Sequence, residues 1–127
     1  MVSDKYQVRT TGPVDQLTRQ PIKGRKRAGG IRFGEMERDA LLSHGTAFIM
    51  NDRLLNCSDV CVTQVCKTCG KTIGVYSTSS DCKSKQAWKC RICKEKSEVV
   101  PLKLPYVFNY LTAELASMNI SLSMKLG

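Results

Sequence analysis

No apolar run in this chain reaches the roughly 18 residues that a membrane-spanning helix requires, and the opening MVSDKYQVRT contains no signal-peptide core. A membrane partner is therefore not expected. Acidic residues are scarce, 11 against 20 lysines and arginines, and they are dispersed along the chain. Two-metal phosphoryl chemistry needs clustered carboxylates, so no catalytic residue is assigned. His44 is the only histidine. It falls in a predicted helix and reads as a hydrogen-bonded structural residue rather than a general base or metal ligand. Internal repeats and low-complexity tracts are also missing. Seven cysteines are an odd number, awkward for a disulfide scaffold, and nothing points to secretion. Metal ligation in a reducing compartment fits them better.

What is present is charge, and it is concentrated. Of a net charge of +9 on 127 residues, the stretch before residue 34 supplies Lys5, Arg9, Arg19, Lys23, Arg25, Lys26, Arg27 and Arg32, opposed only by Asp4 and Asp15. A localised positive field suits a polyanion, most simply nucleic acid. The same stretch mixes its charge with glycine: Gly24, Gly29 and Gly30 lie among Lys23, Arg25, Lys26, Arg27 and Arg32. Glycine lets a backbone approach a phosphate, and arginine grips phosphate oxygens with two parallel N–H groups. Taken alone, the stretch reads equally well as a solvated loop or a nuclear-localisation patch.

The most specific chemical signal is Cys66-Lys-Thr-Cys69, then twenty residues, then Cys90-Arg-Ile-Cys93. Two C-x2-C pairs at this separation mark a four-cysteine zinc ribbon, because each two-residue gap turns both sulfurs to one side and two such turns close a tetrahedron. Buried free thiols and an iron–sulfur centre are the alternatives. Four thiolates leave no open position, so the one Zn2+ is structural, and without it the ribbon should be unfolded. Lys67, Lys71, Lys89, Arg91 and Lys94 flank the ligands and offset their charge. Cys57, Cys61 and Cys82 read as ordinary residues, Cys82 being a possible competitor for the metal.

The expected fold class is α+β: an irregular basic N-terminal segment, a central helix, the zinc ribbon and a C-terminal helix, together not an independent complete domain. The division is 1–59 and 60–127. Met36, Ala40, Leu41, Ala47, Phe48, Leu54 and Leu55 recur at helical spacing and predict one amphipathic helix over 35–56, with Met36, Phe48 and Leu55 in the core and Glu35 and Glu37 capping its start and pairing with nearby arginines. Arg53 falls on its polar face. Strands are predicted at 60–65, 72–77, 86–89 and 97–100, a polar loop at 77–84, and a linker between Pro101 and Pro105. A last helix carries Val107, Tyr110, Leu111, Leu115 and Met118, and the alternation of Ile120, Leu122 and Met124 predicts a short terminal strand. Trp88, just before the second cysteine pair, could stack on a base, but packing across the ribbon is the favoured reading.

Longer motifs join these pieces. Thr18-Arg19-Gln20-Pro21, Lys23-Gly24-Arg25 and the unbroken GGIRFGEMERD from Gly29 to Asp39 strongly resemble the C-terminal region of the second-largest subunit of eukaryotic RNA polymerases, and the likeness continues through the zinc ribbon to Met118-Asn119-Ile120. The stretches GRKRAGGIRFGEMERDALLSHGTAF and DRLLNCSD are most similar to the RNA polymerase I form, which makes ribosomal RNA. The resemblance implies an architectural part of a nucleotidyltransferase, located in the nucleus and nucleolus, that anchors the clamp of the largest subunit and meets the DNA template and RNA–DNA hybrid. It implies nucleic-acid contacts for Lys5, Arg9, Arg25, Arg27 and Arg32 and for the glycine pair Gly29 and Gly30, and zinc ligation by Cys66, Cys69, Cys90 and Cys93. Mg2+ would belong only to the intact polymerase, held by another subunit, and in that assembly the Met36, Phe48 and Leu55 stripe would be an intersubunit surface. Met1 aligns with an internal methionine of the family, so a fragment, a partial gene model or a short isoform is expected. The rival reading is a stand-alone zinc-ribbon nucleic-acid-binding or transcription-regulatory protein.

Overall fold

The computed structural model describes residues 1–78 and 87–127, which divide into two compact bodies, 1–60 with 105–107 and 61–104 with 108–127. Helices and small sheets are mixed, giving an α+β chain. Cys82, Gln86 and most of the predicted 77–84 loop lie outside the described residues.

In the first body the basic segment is ordered by hydrogen bonds rather than by a core. The Asp15 carboxylate accepts from the backbone N–H groups of Leu17 (2.8 Å) and Thr18 (3.2 Å), a local turn that brings Val14 opposite Pro21 in a single antiparallel bridge. The following loop closes on itself, with Gly30 N–H donating to Ile22 (2.8 Å) and Gly29 N–H to Gly24 (2.9 Å). Gly29 is buried there: a Cβ would stand 2.5 Å from the Ile22 carbonyl oxygen, so only glycine fits without a shift. Arg25–Arg27 forms a single exposed 3-10 turn at the tip of the loop.

The predicted long helix is two. Helix α1 (Glu35–His44) stops where Gly45 takes the left-handed conformation (φ 79°) and donates its N–H to the carbonyls of Leu41 and Leu42. Helix α2 (Ala47–Asn51) follows and loosens into a π turn at Asp52–Asn56. Glu37 caps α1 as expected, its Oε2 accepting from Gly34 N–H at 3.0 Å, half of a capping box. The ion pairs formed by arginines among the described residues involve Asp39 and Asp52, not Glu35 or Glu37. Met36 is 83% and Phe48 84% exposed, so these two are not core, while Leu55 is half-buried. His44 is exposed at the last position of α1.

Helix α3 (Tyr106–Ser117) starts on a cap from far upstream. Asp59, only 5% exposed, accepts Tyr106 N–H on its carbonyl (2.8 Å) and Val107 N–H on its carboxylate (3.1 Å), satisfying two orphan donors of the first turn. Arg19 stacks over the Tyr106 ring at 4.7 Å. Asp59→Ala is expected to cost about 1–3 kcal/mol, and Asp59→Asn, which keeps an acceptor, less. Urea denaturation of both variants measures this, and equal losses would remove the cap from the account.

Strand β1 (Val60–Cys66) pairs with β4 (Val99–Pro105), and in the second body β2 (Val75–Ser77) pairs antiparallel with β3 (Trp88–Cys90), with Val75 opposite Cys90. The predicted 72–77 strand is shorter than expected, since its first residues are spent turning out of the first cysteine pair. The predicted proline linker is instead strand: in a two-stranded sheet each strand keeps a free edge, where proline's missing N–H breaks no ladder bond. Trp88 is half-buried in β3. After α3, Asn119 adopts a left-handed conformation (φ 62°) and Ile120 N–H donates to Leu115 (2.9 Å), a Schellman turn that ends the helix. The tail beyond forms no strand. The fully buried apolar core among the described residues is Val65, Cys66 and Cys90.

Candidate metal centre and cationic cleft

The two cysteine pairs sit on turns of the same shape. After the second cysteine of each pair the backbone turns left-handed, at Gly70 (φ 69°) and at Lys94 (φ 50°). That residue's N–H then donates back to the first cysteine's carbonyl, Gly70 to Cys66 at 2.7 Å and Lys94 to Cys90 at 2.9 Å. Each turn thereby presents both sulfurs on one side.

The structure brings together all four cysteines picked out by spacing. Their sulfurs lie within 4.8 Å of one another, with Cys66 to Cys93 at 3.8 Å and Cys69 to Cys90 at 3.7 Å. These separations exclude disulfides, whose sulfurs stand about 2.05 Å apart. They match the edge of about 3.8 Å expected when four thiolates each sit about 2.3 Å from one tetrahedral ion. Four cysteines so placed could hold a metal ion, and all four corners being protein sulfur leaves no position for substrate.

The thiols are tuned unequally. Burial pushes Cys66 up, but the N–H groups of Cys69 and Thr68 and the thiols of Cys69 and Cys93 outweigh it and bring the group down to about 7. Cys69 is raised, chiefly by burial. Cys93 is raised to about 12 by burial, by hydrogen bonds shared with Cys69 and Cys66, and by their negative charge. The first thiolate to form in the cluster opposes the next, because the sulfurs share hydrogen bonds and charge at close range.

The other described cysteines are engaged elsewhere. Cys61 Sγ receives the Asn109 amide (3.6 Å), which also donates to Thr63 (2.9 Å). Cys57 donates to the Asp52 carboxylate (3.3 Å), a bond that raises its pKa and leaves it a thiol. Of the flanking cations, Lys67 reaches Glu98 at 3.6 Å and Arg91 lies over the Tyr76 ring at 5.6 Å.

In the first body a cleft of about 580 Å³ is lined by Arg9, Lys23, Arg32 and Arg53 together with Pro21, Ile31, Phe33 and Leu54, with no carboxylate among its lining residues. Helical periodicity assigns Arg53 only to the polar face of a helix. The π turn carries it to the basic loop, although one side of its guanidinium faces Asp52 at 3.4 Å. Arg9 is partly engaged in structure, donating from Nη1 to Ala28 (2.7 Å) and Pro13 (2.9 Å). Gln7, which the sequence does not single out, pins the glycine pair by donating to the carbonyls of Gly29 (2.7 Å) and Gly30 (3.0 Å). Arg27 donates to Lys23 (2.9 Å), while Lys5, Arg25 and Arg32 are exposed. Lys5, Arg25, Arg27 and Gly29 do not line the cleft; Gly30 does.

Comparison with known proteins matches residues 29–127 to the family described as RNA polymerase Rpb2, domain 7, and residues 1–27 to RNA polymerase Rpb2, domain 6. The chain is 52% identical to DNA-directed RNA polymerase I subunit rpa2 of Dictyostelium discoideum over 127 residues, covering all of this chain and 11% of that protein. It is 50% identical to the probable DNA-directed RNA polymerase I subunit RPA2 of Schizosaccharomyces pombe, covering 98% of this chain and 13% of the relative. Against DNA-directed RNA polymerase I subunit RPA2 of Homo sapiens it is 49% identical, over 98% of this chain and 11% of the relative. The chain therefore spans about a tenth of the length of these curated relatives.

Proposed function

Because this chain belongs to the RNA polymerase Rpb2 family, we propose that it serves as the C-terminal part of the second-largest subunit of a nuclear DNA-directed RNA polymerase, in the nucleolar form that transcribes ribosomal RNA. Its work there is architectural. The four cysteines hold one structural Zn2+ and stiffen the part that anchors the clamp of the largest subunit. The cationic cleft and the Arg25–Arg27 turn face the template and the RNA–DNA hybrid. Nucleotide addition, with its Mg2+, falls to other parts of the polymerase.

The observation that carries this reading is the mismatch between the chain's size and its core. Among the described residues three fully buried apolar side chains make a very small core, while Met36, Leu42, Phe48 and Ile49 stand exposed on α1 and α2. Such surfaces fit a piece that is completed by neighbouring subunits better than a stand-alone regulator. The choice of RNA polymerase I rests on the three relatives at 49–52% identity. A chimera provides the test. When this chain replaces the matching segment of the fission yeast subunit, it is expected to assemble and to support ribosomal RNA synthesis. A chimera that is stably made but excluded from the polymerase would overturn the proposal.

A further inference from the structure

The two cysteine turns differ in one respect that their shared geometry does not explain. Both need a left-handed residue after the second cysteine, yet the second turn uses Lys94 there and the first uses glycine. The left-handed conformation alone therefore does not demand glycine at position 70. What demands it is the tail. Met124 N–H donates to the Gly70 carbonyl at 2.8 Å, and a Cβ on Gly70 would overlap the Met124 carbonyl oxygen and stand 2.8 Å from its nitrogen.

The tail is built to make that approach. The Schellman turn at Asn119 turns the chain out of α3. Beyond it Leu122, Met124 and Leu126 are half-buried and Ser121, Ser123 and Lys125 exposed, a period-2 pattern with one face on the protein. Ile120 and Leu122 line a cavity of about 290 Å³ with Lys71, Ile73 and Ile92, residues that adjoin both cysteine turns. Gly70 itself is buried, whereas Cys69 and Cys93 are only half-buried and form the side from which an exchanging thiol or chelator could reach the ion.

From this geometry we infer that residues 119–127 form a strap across the first cysteine turn that governs how fast metal leaves the site, without supplying a ligand. Release requires Cys66 and Cys69 to swing away from the ion, and that swing requires the Cys69–Gly70 backbone to move. The strap ties this backbone to α3 through the Met124–Gly70 hydrogen bond. Freeing it lowers the cost of local opening while all four sulfurs remain in place.

This inference rests on the metal reading, and the experiment separates the two. The full chain, loaded with zinc, is mixed with excess chromogenic chelator and the transfer of zinc is followed. Gly70→Ala, which pushes the strap off, and Met124→Pro, which removes the donor without touching the turn, are each expected to release zinc about tenfold faster than the unaltered chain while still holding one zinc per chain. Lys125→Ala, on the exposed face, is expected to release at the unaltered rate. An unaltered chain that takes up no zinc would remove the metal reading, and the strap with it. A chain that loads normally, with Met124→Pro releasing at the unaltered rate, would overturn the strap alone, whatever Gly70→Ala does.

Discussion

Stripping zinc from this chain is expected to unfold the ribbon outright. Among its described residues the second body has Val65, Cys66 and Cys90 fully buried, two of them metal ligands in the proposed site. Metal binding by four thiolates carries an apparent free energy of about 10–16 kcal/mol at neutral pH, more than so small a core can supply by burial. Trp88, the only tryptophan, lies in β3 two residues before Cys90, so its emission reports on this body and nothing else. Chelation, or Cys90→Ser, should shift that emission to the red and remove the β2–β3 pairing from amide-exchange protection. A metal-free chain with unchanged Trp88 emission would refute a structural metal.

The pH dependence follows from the thiols. Metal must displace the protons that raised groups such as Cys69 and Cys93 hold at neutral pH, so affinity falls as pH falls. Below about pH 7 the Cys66 thiol also holds its proton, and the loss per pH unit becomes steeper. The metal-linked stability is thus present at neutral and alkaline pH and lost on acidification. A zinc titration repeated at several pH values measures it.

A double variant, Arg32→Ala with Arg53→Ala, is expected to weaken binding to an RNA–DNA hybrid and to flatten its salt dependence. Every arginine–phosphate pairing that is abolished takes roughly 0.9 off the slope of log affinity against log salt, so two lower it by about 2. These two arginines are the informative pair because neither makes the loop. Arg9, by contrast, donates to the Ala28 and Pro13 carbonyls, and its loss would loosen the basic loop as well as remove charge. Fluorescence anisotropy at rising salt gives the slopes, and zinc content serves as the control. An unchanged slope in the double variant would mean that the cleft does not meet phosphate.

Arg53 also shows where reading the chain stops. The spacing of Met36, Phe48 and Leu55 is helical, and α1 and α2 do form, but periodicity carries no information about what stands opposite a face. The same pattern describes a buried helix and one whose partner is another polypeptide. Gly45 carries the clue to the break, since a left-handed residue within a helical run ends it. The prolines at 101 and 105 mislead because proline disfavours only a strand whose N–H is needed, and a free edge is a property of the sheet.

Local chemistry was settled by the order of residues alone. Two C-x2-C pairs, a concentrated run of arginine and lysine, and the GGIRFGEMERD stretch each depend on neighbours a few residues apart, where chain geometry leaves few choices. Only the folded chain could decide what depends on distance through space. It caps α3 with Asp59 across 48 residues, pins the glycine pair with Gln7, brings Arg53 to the basic loop and lays Met124 over Gly70. In each of these the partners are joined by packing and not by periodicity, and a linear pattern holds no record of which distant groups will meet.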